Sequence, residues 1–266
     1  MPRFSANLSF LFGEVPFLER FGEAAHAGFR AVEFTFPYEW QAGDIAAEVA
    51  KHGLEVALLN APPGEVAAGD RGLASLPGRE HEFAASIAIG LRYAKELACR
   101  RLHVMAGAGP VDVDATERER RRRLYVRHLK LACDEAAAQG VTITIEPLNP
   151  RDMPGYLLRT QAEAHAIREE VGAPNLKVQF DLYHAQIVEG DLTEKLRRYL
   201  PHVGHIQIAG VPGRHEPNVG EINYEWIFRL LDELRYDGYV GCEYRPLAGT
   251  AEGLAWMYRL LGRSPH

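Results

Sequence analysis

Short runs crowded with apolar and β-branched residues alternate along this chain with longer segments whose apolar positions recur at helical spacing. The first run is Phe4–Phe10, followed by an amphipathic stretch, Pro16–Ala27, that Gly28 closes. Ala31–Phe36 precedes a helix near Gly43–His52, closed by Gly53, and Leu54–Ala61 is the third strand. Glycine at both closures suits the left-handed residue that follows a helix C-terminus. Helices over about Arg79–Ala98, Thr116–Gln139 and Thr160–Val171 then lead in turn to the strands Leu102–Ala106, Val141–Glu146 and Leu176–Asp181. A helix near Leu192–Tyr199, the strand Val203–Ala209, the helix Tyr224–Leu234, the strand Tyr239–Tyr244 and a last helix near Thr250–Leu261 complete the chain.

These segments form eight strand–helix pairs with no composition break and no linker. That pattern predicts an α/β fold in which residues 1–266 form one domain, a single (β/α)8 TIM barrel, rather than an open doubly wound sheet. No strand runs into Gly-x-Gly-x-x-Gly or a Walker-type loop, so dinucleotide and nucleoside-triphosphate readings fall away. The connection Pro62–Gly78 is long for a βα loop and rich in Gly and Pro. A connection of that length inside a compact barrel is expected to be functional.

Composition changes this picture only by exclusion. Apolar residues at 47% and charged residues at 25% suit a soluble protein with a sizeable core. A net charge of −6 argues against a nucleic-acid partner, whose phosphates call for a basic surface. The one basic block, Glu117–Arg123, has acidic residues interleaved and lies in a helical pattern, so it reads as a solvated helix face. Cys99, Cys133 and Cys242 are odd in number and widely spaced, which points to a reducing compartment without a disulfide framework. The polar start of the chain lacks a signal-peptide core, and no apolar run approaches the roughly 18 residues of a membrane span. The expectation is a cytoplasmic protein with no membrane partner. Nothing in the sequence fixes an oligomeric state.

In a (β/α)8 barrel the chemistry sits at the C-terminal ends of the strands. In Val141–Asn149, Pro147 cannot donate to a sheet ladder and restricts the residue before it, so the strand should end on Glu146. The next strands end on Asp181, carry Gln207 near the end, and end on Glu243. Three carboxylates converging in one low-dielectric mouth repel each other unless a cation intervenes. A structural Arg or Lys could serve, but four oxygen donors on four consecutive strands favour one hard divalent cation, Mg²⁺ or Mn²⁺, held by Glu146, Asp181, Gln207 and Glu243. His184, three residues after Asp181, is a candidate substrate ligand. Arg214, on the loop after the seventh strand, and Arg71, on the long third loop, are candidates for an anionic group, because a guanidinium fork matches a carboxylate in geometry and charge.

The chain also resembles the hydroxypyruvate isomerase family, within the xylose-isomerase-like barrel superfamily that includes ketose 3-epimerases. The likeness rests on Arg3-Phe4-Ser5-Ala6-Asn7-Leu8-Ser9, Val32-Glu33-Phe34, Phe36-Pro37-Tyr38 and Leu76-Pro77-Gly78-Arg79-Glu80. It continues in Ile145-Glu146-Pro147-Leu148-Asn149, His205-Ile206-Gln207-Ile208-Ala209, Gly220-Glu221-Ile222-Asn223-Tyr224 and Gly241-Cys242-Glu243-Tyr244. Leu102-His103-Val104-Met105-Ala106-Gly107 and Arg214-His215-Glu216-Pro217 look more like the 2-oxo-tetronate isomerase branch. The resemblance implies the same four metal ligands and makes Glu146 and Glu243 the acid/base pair. It implies aldose–ketose isomerisation of a small hydroxy-oxo acid, hydroxypyruvate to tartronate semialdehyde or a 2-oxo-tetronate, by proton transfer through an enediolate. A hydride shift is the competing mechanism. The other classes are a ketose 3-epimerase acting on neutral sugars, a non-catalytic binding barrel, and an abasic-site endonuclease. The last is disfavoured by the acidic chain and by the expected lack of further strand-end histidines.

Overall fold

A computed structural model of the chain describes residues 1–262. Its eight strands are β1 (Arg3–Asn7), β2 (Ala31–Phe34), β3 (Glu55–Asn60), β4 (Arg101–His103), β5 (Thr142–Ile145), β6 (Leu176–Asp181), β7 (Val203–Ile208) and β8 (Tyr239–Cys242). They run parallel in chain order and close on themselves, with β1 paired to both β2 and β8. Between them lie α1 (Arg20–His26), α2 (Ala42–Lys51), α3 (Glu80–Glu96), α4 (Ala115–Ala137), α5 (Gln161–Val171), α6 (Leu182–Val188), α7 (Leu192–Tyr199) and α8 (Tyr224–Glu233), with α9 (Thr250–Gly253) and α10 (Ala255–Leu260) after the last strand. The expected barrel is therefore the observed fold. Strands β2 and β8 are buried at every position, as a sheet covered by helices on one face and filled with side chains on the other requires.

The filling of the barrel is polar on one side. Glu33 of β2 is fully buried and accepts hydrogen bonds from Ser5 Oγ at 2.7 Å, Gln207 Nε2 at 2.8 Å and Asn7 Nδ2 at 3.2 Å, with His205 Nε2 at 2.8 Å. Together these partners outweigh the cost of burial and hold the Glu33 carboxyl below the ordinary carboxylate range. Gly241 makes room for it, since a Cβ there would lie 2.3 Å from Glu33 Oε1.

Element ends follow local chemistry. Gly28 and Gly53 take positive φ after α1 and α2. Thr160 and Glu163 form a reciprocal capping box at the start of α5, and Asp114 caps α4. Two expectations need correction. The single helix placed between β6 and β7 is preceded by α6, which starts directly at the strand end because the Asp181 side chain caps it. The basic block is only partly a solvated face. Arg118, Arg120, Arg122 and Arg123 pair with Glu163, Glu117, Glu170 and Glu119, but Arg121 is 2% exposed and donates to Ser75 Oγ and to the Gly107 carbonyl, each at 3.0 Å. Among the described residues no helix is long and apolar enough to cross a membrane.

Candidate functional site

A cavity of about 610 Å³ opens at the C-terminal ends of the strands, and Glu146, Glu243, His184, Arg71 and Arg214 all line it. A second cavity, about 700 Å³, lies beside α8 and α10, and Glu225 and Arg259 are its only charged lining residues among those described. The convergent carboxylates are in the barrel mouth.

Strand β5 ends at Ile145, one residue before the expected end, and Glu146 is the first residue beyond it, followed by Pro147. Its carboxyl is buried, and Oε1 has no hydrogen-bond partner among the described residues. Burial, then the Glu243 charge, then the Asp181 charge push its pKa well up. Asp181 divides its two oxygens. Oδ1 accepts the backbone N–H groups of Tyr183 at 2.7 Å and His184 at 3.4 Å, which caps α6, while Oδ2 is buried with no hydrogen-bond partner among the described residues. Burial raises the Asp181 pKa against the opposing pull of Arg214. Burial likewise raises Glu243, to about 8, against the same guanidinium.

Arg214 is the cation of this cluster. Its Nη2 lies 3.3 Å from Glu243 Oε2 and 3.8 Å from Asp181 Oδ2, and its guanidinium sits over the rings of Phe10 and Tyr183 at 4.9 and 5.0 Å. The backbone reaches this position in the left-handed region, at φ 59°. Hydrogen bonds from Arg214 N to Gly210 O and from Arg245 N to Arg214 O offset that strain. One guanidinium against three carboxylates leaves negative charge in excess, and Glu146 has no Lys or Arg within ion-pair distance among the described residues.

His184 has a defined tautomer. Its Nδ1 accepts the backbone N–H of Asn149 at 3.1 Å, so a neutral ring carries its proton on Nε2, which lies 3.7 Å from Asp181 Oδ2. In that tautomer Nε2 is a hydrogen-bond donor and not a metal ligand. Burial, reinforced by Arg214, keeps this ring neutral. Arg71 reaches the cavity wall but spends one N–H on the Asp70 carbonyl at 2.7 Å. Gln207 is not turned freely into the mouth. Its Nε2 donates to Glu33, and its Oε1 accepts from Gln179 Nε2.

Sequence reasoning missed three residues. His103 ends β4 with its Nδ1 3.7 Å from Glu146 Oε2, which corrects the expectation that no further histidine ends a strand. Asp152 lines the cavity, accepts from Tyr183 Oη at 2.8 Å and faces Arg214. Glu33 fixes the amide of Gln207 from below.

The donor set suits a divalent cation. Ligand atoms of Glu146 and Asp181 lie within 4.8 Å of one another, and Glu146 Oε1 and Asp181 Oδ2 are buried without a hydrogen-bond partner among the described residues. Such atoms are costly to bury without a partner.

The family model that describes a xylose isomerase-like TIM barrel matches residues 21–260. A 2-oxo-tetronate isomerase of Cupriavidus necator is 57% identical over 99% of this chain and 100% of its own length. The chain belongs to this isomerase family. A hydroxypyruvate isomerase of Escherichia coli is 42% identical over 97% of this chain and 98% of its own. A crystal structure from Brucella melitensis, described as an AP endonuclease of family 2, superposes with a TM-score of 0.94 at 48% identity, over 97% of this chain and 99% of that one. Membership in the isomerase family makes the chain an enzyme, an isomerase.

Proposed function

We propose that this enzyme interconverts a short 3-hydroxy-2-oxo acid and its isomer by proton transfer, with hydroxypyruvate or a 2-oxo-tetronate as substrate. The observation that carries the reading is Arg214, clamped between Phe10 and Tyr183 beside Glu146 and Glu243 in one cavity. A guanidinium fixed at that position binds an acid, whereas a neutral ketose gives it nothing to pair with. The names of the relatives from Cupriavidus necator and Escherichia coli agree with such substrates.

Arg214, with His184 Nε2–H and Arg71, would hold the substrate carboxylate and orient the carbon to be deprotonated. One of Glu146 and Glu243 takes the proton from C3, and the other returns one at C2. Burial raises both carboxyls, Glu243 to about 8, which suits groups that must both accept and release a proton. Glu146, Asp181 and Glu243 are the residues that would hold Mg²⁺ or Mn²⁺, together with the Gln207 oxygen, which keeps a second lone pair beyond its bond from Gln179. When bound, that cation supplies Lewis-acid stabilisation of charge developing on the substrate oxygens. The three buried free cysteines fit the reducing cytoplasm as its location.

The endonuclease description of the Brucella melitensis structure offers a different chemistry. Neither a basic surface nor a histidine-rich multi-metal cluster supports it here, since the chain carries −6 and the described residues give one candidate cluster with one histidine. The test is a panel of hydroxypyruvate, 2-oxo-tetronates and free ketoses, assayed with Mg²⁺ or Mn²⁺ and then with chelator. Turnover of an oxo acid that chelator abolishes is expected. Faster turnover of neutral ketoses, or full activity in chelator, would overturn the proposal.

A further inference from the structure

We propose that His103 is a further catalytic residue, the group that carries the hydroxyl proton between the two oxygens of the enediol; this rests on the proton-transfer reading above. Isomerisation moves two protons. One passes from carbon to carbon, which Glu146 and Glu243 account for. The other leaves the C3 hydroxyl and ends on the former C2 carbonyl oxygen, and nothing assigned so far handles it.

That task calls for a group able to give and take a proton with no net change of charge, which a neutral imidazole provides. His103 is the last residue of β4, is 1% exposed, and lines the same cavity as the two glutamates. Neither of its ring nitrogens has a hydrogen-bond partner among the described residues, and Nδ1 is 3.7 Å from Glu146 Oε2. Other buried imidazoles are committed elsewhere. His184 Nδ1 is tied to Asn149, His205 Nε2 to Glu33, and His128 Nδ1 to the Ala74 carbonyl. His165 is also unpartnered, but it stacks on Tyr199 at 4.1 Å and is not on the cavity wall. A buried ring on the cavity wall, with neither nitrogen hydrogen-bonded among the described residues, is a polar group that calls for a partner.

The electron count closes. As a glutamate takes the C3 proton, the C3–H pair becomes the C2=C3 double bond, and the C2=O π pair moves onto that oxygen, giving an enediolate. His103 then takes the C3 hydroxyl proton on one ring nitrogen as the N–H of the other passes to the C2 oxygen, so the imidazole stays neutral and the negative charge moves to the C3 oxygen. A lone pair of that oxygen becomes the new C3=O bond, and the double-bond pair takes a proton at C2 from the other glutamate.

The Mg²⁺-loaded enzyme with hydroxypyruvate in D₂O, followed by proton NMR, separates the two transfers. In His103→Gln, isomer formation should fall about 100-fold. Enzyme-dependent exchange of the C3 protons with solvent should stay close to the wild-type rate, so the ratio of exchange to isomerisation rises by a similar factor. Equal losses in both rates would make His103 a residue that only positions Glu146, and unchanged isomerisation would remove it from the reaction; either result overturns the proposal. Wild-type enzyme that isomerises without any exchange would instead overturn the proton-transfer reading, and His103's part with it. A second measurement needs no variant: the ring ¹⁵N resonances of His103 in wild-type enzyme should report a neutral imidazole and shift when glycerate, an unreactive hydroxy acid, is added. Resonances that do not move with glycerate would overturn the assignment.

Discussion

Arg214 holds the most demanding position in the site, a left-handed backbone and a guanidinium shared between Glu243 and Asp181. Lysine retains the charge but loses the fork and the stacking on Phe10 and Tyr183, so Arg214→Lys should raise KM for an oxo acid about 10-fold and Arg214→Met about 100-fold. A KM unchanged in Arg214→Met would place the carboxylate elsewhere. Glu243→Gln removes a proton-transfer group while keeping its shape, and kcat should drop by at least about 10³-fold with thermal unfolding close to wild type. Turnover within tenfold of wild type would remove Glu243 from the acid/base pair. Glu146, Asp181 and Glu243 could be picked out in the sequence because each ends an apolar β run, where an ionisable group is conspicuous. His103 could not, because Leu102–Ala106 reads as one uninterrupted strand and the structure ends it at the histidine. Glu33 was hidden differently: its strand is short, and a carboxylate pointing into the barrel looks the same in sequence as one pointing out.

The helices show which patterns a sequence carries and which it does not. Capped and periodic elements were found almost to their ends, as with Thr160 before α5 and the glycines after α1 and α2. Helix α6 escaped because its cap is the side chain of Asp181, itself read as a ligand, and seven residues carry little periodicity. In α4 a run of arginines has no sequence feature that singles out the one facing inward. Arg121 does so, and its bonds to Ser75 and Gly107 tie α4 to the loops after β3 and β4, which form part of the mouth. Because those carbonyl and hydroxyl partners would be left buried, Arg121→Met should cost about 2–4 kcal/mol in urea unfolding. Arg120→Ala, on the solvated side of the same helix, should leave the unfolding midpoint where it is. Equal effects of the two substitutions would return Arg121 to the surface face first expected for it.

For the molecule as a whole, the burial of three carboxylates at the barrel mouth, with more negative charge than Arg214 offsets, sets the pH response. Glu146, Asp181 and Glu243 all have folded pKa values above their ordinary ones, Glu243 at about 8. Between the ordinary carboxylate range and pH 8 the folded chain therefore binds more protons than the unfolded one, and stability falls as pH rises. Glu33, held below the ordinary range, works in the opposite sense and loses its contribution only in acid. In chelator, the melting temperature should decline from pH 5 to pH 8, and Mg²⁺ or Mn²⁺ should raise it more at pH 8 than at pH 5, where protons compete for the same oxygens. A cation effect independent of pH would indicate that these carboxylates are not the ligands. The central claim is that carbon-bound hydrogen moves as a proton through the two glutamates. Mass analysis of the isomer formed by the Mg²⁺-loaded wild-type enzyme in D₂O tests it most directly. Deuterium in the new C–H bond is the result predicted here; product formed at full rate with none would mean that the hydrogen travels as hydride.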